Sequence, residues 1–223
     1  MIASGITEER LAQWQSDLDR VYDAYADLVG DVPYMGQKLG IVSVRHDPGG
    51  WAVAGNPIQW YRPYVQEALA DVQEGDWSFG ILHEIGHDFD MDYRWAWDAE
   101  FTANFKMEYV VETLDACVFV GGSWYQGDEL RDFYGDQYEA NKLTGQYDFS
   151  VLHYRFAELR DVYGWRLFKQ AFREYLAIPD RELPSSRLDR FLRFIDILSM
   201  LSGEDVQSRF DVDEWDWVIS QLE

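Results

Sequence analysis

The chain has 223 residues and is 47% hydrophobic, which is too apolar for a disordered protein and enough for one sizeable core. No stretch approaches the ~18 consecutive apolar residues of a transmembrane helix, so we expect no membrane span. The 19 basic and 41 acidic side chains give a net charge of −22, which repels nucleic-acid phosphates. We therefore expect a folded, soluble protein that binds neither DNA nor RNA.

Residue patterning in chain order predicts many helices and one small sheet. A long helix is expected over 7–29, followed by a Gly- and Pro-rich region (30–57) with short strands. Further helices are expected near 60–73, 77–89, 97–118, 128–143, 149–162, 164–177 and 186–202, with a short one after Asp213. We predict a single α+β domain that is predominantly α-helical. Its parts are an N-terminal helix and small β-sheet (1–75), two central helices (77–118) and a C-terminal helical part (126–223).

Residues 83–87 read His-Glu-Ile-Gly-His and use two of the chain's 4 histidines. On a helix the i,i+4 spacing puts His83 and His87 on one face, where both imidazoles can reach one metal ion. A catalytic zinc takes three protein ligands and leaves a position for water, whose pKa falls towards about 7. Glu84 is placed to take that water's proton as general base. The motif predicts a zinc-dependent hydrolase; the alternative is an ordinary helix with two polar-face histidines.

The residues around the motif support a helix packed on one side. Ile81, Leu82 and Ile85 can bury that side while the histidines face a cleft. Gly86 is unfavourable in a helix interior by about 1 kcal/mol relative to Ala. Its presence predicts that another segment approaches the backbone closely at this position.

The third metal ligand is expected downstream, where several carboxylates follow. Asp88, Asp90 and Asp92 lie too near the first helix to turn back easily. Alternating aspartates can also open a calcium loop, but Tyr93 and Ala99 stand where an EF-hand requires Gly and an acidic residue. A calcium loop is therefore not expected.

Glu100 is the preferred third ligand, since it lies near the start of the second central helix. Asn104 follows one turn later on the same face and is placed to hydrogen-bond a metal ligand. Asp98 is the competing ligand, and its alternative role is the N-cap of that helix.

The motif HEIGH, the Trp-rich spacer after it, and Glu100, Thr102 and Asn104 resemble the enhancin-like and mucin-degrading zinc metallopeptidases. These are gluzincins, written HExxH with a downstream glutamate. The segment GGWAVAGNPIQ (49–59) is similar to the family's strand and turn beside the active-site cleft.

Two further segments, YGWRLFKQAFREY (163–175) and SMLSGEDVQSRFDVDEW (199–215), are similar to the family's C-terminal helices. The resemblance thus extends from about Leu11 to Trp217. Family members usually have Asn or another polar residue where this chain has Asp88.

The resemblance implies a zincin-like fold with one Zn²⁺ per chain, held by His83, His87 and Glu100, and Glu84 as the catalytic base. It also implies a protein or glycoprotein substrate, such as a mucin, and a location outside the cell or at its surface. The first residues show no signal peptide, so we expect either a cytoplasmic protein or a catalytic fragment of a longer exported one. Nothing in the sequence indicates the oligomeric state.

Peptide hydrolysis also needs a donor for the oxyanion. His153 lies at the start of a helix that follows the second central helix, and it is our candidate for this donor. Tyr147 and Tyr154 lie near it and could also donate a hydrogen bond. The alternative for His153 is a hydrogen-bonded structural histidine.

Aromatic residues make up 17% of the chain, and most are expected in the core. Trp51 and Trp124 adjoin glycines on expected loops, so we place them at the cleft rim, where an exposed indole can stack on a sugar. Cys117 is the single cysteine, which excludes an internal disulfide; it is expected on a helix.

The alternative function is a non-catalytic glycan- or protein-binding domain that retains the zincin fold. An intact Glu84 favours the enzyme, because binding alone does not need a base beside the metal.

Overall fold

The computed structural model describes residues 7–65, 77–91, 94–95 and 97–223. These residues fold into helices and two small sheets. In chain order the helices are α1 (Glu8–Val29), α2 (Phe79–Asp88), α3 (Ala99–Leu114), α4 (Glu129–Thr144), α5 (Ser150–Tyr163), α6 (Trp165–Leu176), α7 (Arg187–Ser202) and α8 (Val212–Leu222). The strands are β1 (Ile41–Val44), β2 (Ala52–Val53), β3 (Ile58–Tyr61), β4 (Trp77–Ser78), β5 (Cys117–Val120) and β6 (Ser123–Gln126). The architecture is mostly helical with small sheets, as the predicted α+β class requires.

Local signals in the sequence set the ends of the helices. The Thr7 hydroxyl accepts a 3.1 Å hydrogen bond from the Arg10 amide at the start of α1, and Gly30 ends that helix in the left-handed conformation. Asp98 accepts a 2.9 Å hydrogen bond from the Phe101 amide at the start of α3. The capping role predicted as one alternative for Asp98 is confirmed.

The first sheet has the strand order β1-β3-β2. β1 runs parallel to β3, and β2 is an antiparallel edge strand whose Ala52 and Val53 pair with Trp60 and Gln59. This is the small N-terminal sheet that the sequence predicts.

The second sheet, with the order β4-β5-β6, was not predicted. α3 ends at Leu114 because Asp115 adopts a left-handed conformation with φ of 48°, so the predicted helix to residue 118 is wrong at its end. Cys117 therefore lies in β5, not on a helix. The run CVFV is short and apolar, and periodicity alone does not distinguish a strand from a helix over such a length. Trp77 likewise pairs in β4, and α2 begins only at Phe79.

The predicted helix over 60–73 is also partly wrong, since Ile58–Tyr61 form β3. Residues 62–65 are helical, and 66–73 lie outside the described residues. The helices predicted after residue 127 agree with α4 to α8 within one or two residues at each end.

A hydrophobic core holds the inner faces of the helices together. Ile81, Leu82 and Ile85 of α2 are all buried, as the sequence predicts. Trp95 and Trp97 are also fully buried, so these two tryptophans after the motif lie in the core and not at a cleft. None of the described helices is long and apolar enough to cross a membrane.

α2 and α3 cross closely at Gly86. A Cβ at this position would lie 2.9 Å from the carbonyl oxygen and 3.2 Å from the Cα of Ala103. The close approach predicted from Gly86 is confirmed. It brings Glu100 and Asn104, on either side of Ala103, to the motif helix.

Candidate metal centre

Three side chains from α2 and α3 converge on one point. The Nε2 atoms of His83 and His87 lie 2.9 Å apart, Glu100 Oε2 is 3.1 Å from His83 Nε2, and Glu100 Oε1 is 3.5 Å from His87 Nε2. Among the described residues, no other set of three His, Cys, Asp or Glu side chains is grouped closely enough to hold a metal ion. The structure thus brings together the three residues that the sequence singles out as ligands.

The geometry of this cluster fits a zinc ion. Ligand atoms at 2.0–2.1 Å from a tetrahedral metal are separated by about 3.3 Å, and the three measured separations bracket this value. Two imidazole nitrogens and a carboxylate oxygen are a donor set that zinc accepts. The Glu100 side chain is 74% exposed, so the cluster opens to solvent on that side.

Asn104 fixes the orientation of His83. Its Oδ1 lies 2.7 Å from His83 Nδ1, and a carbonyl oxygen can only accept, so the imidazole proton lies on Nδ1. The lone pair of His83 Nε2 is then directed to the cluster. The hydrogen-bonding role predicted for Asn104 matches this contact.

The charges around His87 favour a cation at the cluster. Burial lowers the pKa of His87, but the carboxylates of Asp90 and Glu100 outweigh burial and raise it to about 9. Hydrogen bonds from His83 and His87 hold the pKa of Glu100 well below its usual range. The cluster therefore stabilises positive charge between the two histidines and Glu100.

Glu84 lies beside the cluster and is only 6% exposed. Burial raises the pKa of its carboxyl group, while the charges of His83 and His87 and a hydrogen bond from the Ala54 amide lower it, with a net increase. Ala54 directly follows the edge strand β2. A carboxylate in these surroundings accepts a proton more readily than an exposed glutamate does.

β2 and the residues on either side of it, from Trp51 to Gly55, run along the face of α2 that carries Glu84. Trp51 covers Gly80, one turn before Glu84, so closely that a Cβ on Gly80 would overlap the indole. One turn after Glu84, Asp88 Oδ1 accepts hydrogen bonds from the Gly55 amide at 2.7 Å and the Tyr34 hydroxyl at 2.8 Å. Trp51 is 36% exposed, so it lies at the edge of this face with part of its ring in solvent.

Trp124 lies on the second sheet, in β6. It is 39% exposed and packs against Phe119, which is 40% exposed, with ring centroids 5.2 Å apart. This sheet also contains β4, which runs directly into α2. Within the part of the chain that the structure describes, no hydrogen bond, ion pair or ring contact joins Trp124 to His83, His87 or Glu100.

His153 does not reach the metal cluster. It is 4% exposed, and its Nδ1 is hydrogen-bonded to Glu108 Oε1. Its ring stacks on the ring of Tyr134, with centroids 3.8 Å apart. The His153 ring also lies 4.7 Å from the ring of Phe101, which is buried, whereas the neighbouring Glu100 side chain is exposed, so His153 contacts the buried side of α3 and not the side that carries Glu100. The contacts therefore correct the predicted oxyanion role of His153 and give it the structural role that was the alternative. The prediction failed because sequence order does not show which face of α5 lies against α3.

A cavity of about 400 Å³ lies between α1 and residues 36–41. Trp14, Leu18 and Tyr22 of α1 line it, and Ile85 of α2 does as well. His83, Glu84 and His87 do not line it, so it lies on the other side of the motif helix from the ligand cluster.

Comparison with known proteins bears on the family and the fold of the chain. The sequence profile of Peptidase M60, enhancin and enhancin-like, matches residues 7–212. Two similar solved structures are a functionally unknown conserved protein from Bacillus anthracis str. Ames and a mutant of such a protein from the same source, with TM-scores of 0.65 and 0.64. Each is 18% identical, and each match covers 93% of this chain but 45% of that chain.

This chain therefore spans less than half the length of those two proteins, and at 18% identity the likeness shows the fold alone. No curated protein matches the chain. The profile match covers all but the first six and last eleven residues. The chain belongs to the family Peptidase M60, enhancin and enhancin-like.

Proposed function

We propose that the protein is a zinc-dependent endopeptidase with a zincin-like fold. His83, His87 and Glu100 hold one zinc ion, and Glu84 is the general base. The observation that carries the proposal is the convergence of the three ligand atoms within 4.8 Å of one another on the helix pair that also carries Glu84. Membership of a peptidase family supports peptide bonds as the substrate class.

The chemistry divides between the metal and the protein. A bound zinc ion lowers the pKa of a water molecule towards about 7 and polarises the carbonyl group of the scissile bond. Glu84 takes a proton from water and later delivers it to the leaving amine. Burial raises the pKa of the Glu84 carboxyl group, and the Ala54 amide is one of the groups that face this carboxylate.

The substrate lies along the side of α2 covered by β2. β2 is one of the two edge strands of its sheet, and Ala54, whose amide faces Glu84, follows it at once. An extended peptide can add to such an edge through main-chain hydrogen bonds, which places a peptide bond beside the base irrespective of its side chains.

A glycan on the substrate is bound by aromatic side chains. Trp51 presents a partly exposed indole one helical turn from Glu84, and Trp124 presents a second one on the sheet next to α2. Stacking on such rings suits the flat faces of sugars. The proposed substrate is therefore a glycosylated protein, as in the mucin-degrading peptidases that the sequence resembles.

Cleavage of one glycoprotein, with and without its glycans, tests the proposal. The zinc-loaded protein should generate new peptide termini that mass spectrometry can identify. Chelation should abolish cleavage, and added zinc should restore it. Stoichiometric zinc without new termini from either form would reject the peptidase and leave the non-catalytic binding domain. Cleavage without bound metal would reject the zinc mechanism.

A further inference from the structure

Lys106 and Asp90 form an ion pair in the protein interior directly behind His87. Lys106 is 0% exposed and Asp90 is 1% exposed. The Lys106 ammonium group donates to Asp90 Oδ1, and the Thr102 hydroxyl donates to the same oxygen at 2.9 Å. The second oxygen, Oδ2, lies 3.6 Å from His87 Nδ1 and has no hydrogen-bond partner among the described residues.

The pair approaches His87 from the side opposite the metal cluster. His87 presents Nε2 to His83 and Glu100 and Nδ1 to Asp90. At 3.6 Å the separation is longer than a hydrogen bond of about 2.7–3.2 Å, so the contact is electrostatic. A carboxylate at this position still favours one ring orientation, with the Nδ1 proton facing Asp90 and the Nε2 lone pair facing the metal.

α3 therefore has two rows of residues that serve the two histidines. Glu100 and Asn104, spaced i,i+4, contact the cluster and His83. Thr102 and Lys106, also spaced i,i+4, contact Asp90 behind His87. One row of α3 therefore contacts the ligand cluster directly, and the neighbouring row contacts Asp90 on the other side of His87.

Stability does not account for this buried pair. Taking two charges out of water is costly, and well-packed apolar residues of similar volume usually stabilise a protein as well or better. Burial lowers the pKa of Lys106, which is the expected result of that cost. Its position behind a ligand suggests a role in the metal site instead.

We propose that Asp90 and Lys106 are positioning residues for the metal site, with Asp90 orienting His87 and Lys106 and Thr102 holding Asp90. The proposal rests on the proposed zinc function, because it concerns a ligand of that site. The sequence pattern places Asp90 too near the motif helix to act as a ligand, and no motif includes Lys106. The sequence feature that could have indicated this pair is a lysine four residues after Thr102 on a helix face that is otherwise buried.

The discriminating variant is Asp90→Leu with Lys106→Met, which replaces both charges by apolar groups of similar shape and leaves no buried charge unpaired. The zinc dissociation constant, measured by chelator competition on the folded protein, should rise by about 10- to 100-fold. The visible spectrum of the cobalt-substituted protein should change as well, because the orientation of His87 alters the ligand field. The melting temperature of the metal-free protein should stay close to that of the wild type.

The control is Arg155→Met with Glu214→Gln, which removes another buried ion pair, joined at 2.7 Å and 2.9 Å and without contact to the three ligands. It should lower the melting temperature and leave zinc affinity unchanged. If Asp90→Leu/Lys106→Met does not fold, Asp90→Asn replaces it, with the same expected direction. Unaltered zinc affinity in whichever of the two folds would overturn the positioning role alone. Absence of zinc binding by the wild type would overturn the proposed function as well.

Discussion

Gly55 and Asp88 are joined by a 2.7 Å hydrogen bond that ties the segment after the edge strand to the end of the motif helix. The amide just before Gly55, that of Ala54, contacts Glu84. Two consecutive backbone amides, of Ala54 and Gly55, thus face two acidic side chains that lie one turn apart on α2. Asp88 also accepts a 2.8 Å hydrogen bond from Tyr34, so one carboxylate fixes two loops to α2.

Asp88→Ala should therefore slow hydrolysis without removing zinc. Both hydrogen bonds are lost, and displacement of the Ala54 amide relative to Glu84 should lower kcat by about 10- to 100-fold. Asp88→Asn retains an acceptor oxygen and should keep most of the activity. Steady-state kinetics and zinc content of the two variants test this. Wild-type kcat in the alanine variant would contradict the role given to Asp88.

Glu84→Gln should bind zinc as the wild type does and lose nearly all hydrolysis. The amide has the same shape but cannot accept a proton from water, and loss of a general base costs about 100-fold or more. Turnover and metal content are to be measured on the same preparation. Near-normal turnover would remove Glu84 from the mechanism.

Gly86→Ala should destabilise the protein by about 1–3 kcal/mol, because the added methyl group forces α2 and α3 apart. Its Cβ would lie 2.9 Å from the Ala103 carbonyl oxygen. The control is Gly135→Ala in α4, where nothing lies within 4 Å of the added Cβ. That variant should gain about 1 kcal/mol from helix propensity. Denaturant unfolding of the zinc-free proteins measures both; equal effects would contradict the close crossing.

Trp51→Ala and Trp124→Ala should weaken cleavage of a glycopeptide several-fold and barely affect the same peptide without its glycan. Stacking on one ring is worth about 1 kcal/mol beyond simple burial. The ratio of kcat/KM for the two peptides is the measurement. An equal loss on both would reject glycan recognition by these residues and leave a general peptidase.

Sequence reasoning was most successful where one local pattern determines the structure. The spacing of His83 and His87 fixes their common face, and Gly86 marks the helix crossing that brings Glu100 to them. The helix ends at Thr7 and Asp98 follow from capping chemistry. The common face of the histidines and the helix ends depend on residues within four positions of one another, and the crossing at Gly86 joins two helices that are neighbours in sequence.

Features that depend on long-range packing were not predictable in the same way. The second sheet pairs Trp77 with Val118, forty-one residues later, and the apolar run around Val118 reads equally well as helix. Burial of His153 follows from the packing of α5 against α3, which no local pattern encodes. The link between Ala54 and Glu84 is likewise a contact between distant segments.

The zinc content of His87→Ala, measured beside that of His46→Ala, tests the assignment of the metal ligands most directly. His46 is exposed on the loop after β1 and has no part in the cluster, so its variant controls for loss of a histidine as such. We expect one zinc per chain in the wild type and in His46→Ala, and essentially none in His87→Ala by elemental analysis after dialysis. Full zinc occupancy in folded His87→Ala would contradict a metal site formed by His83, His87 and Glu100.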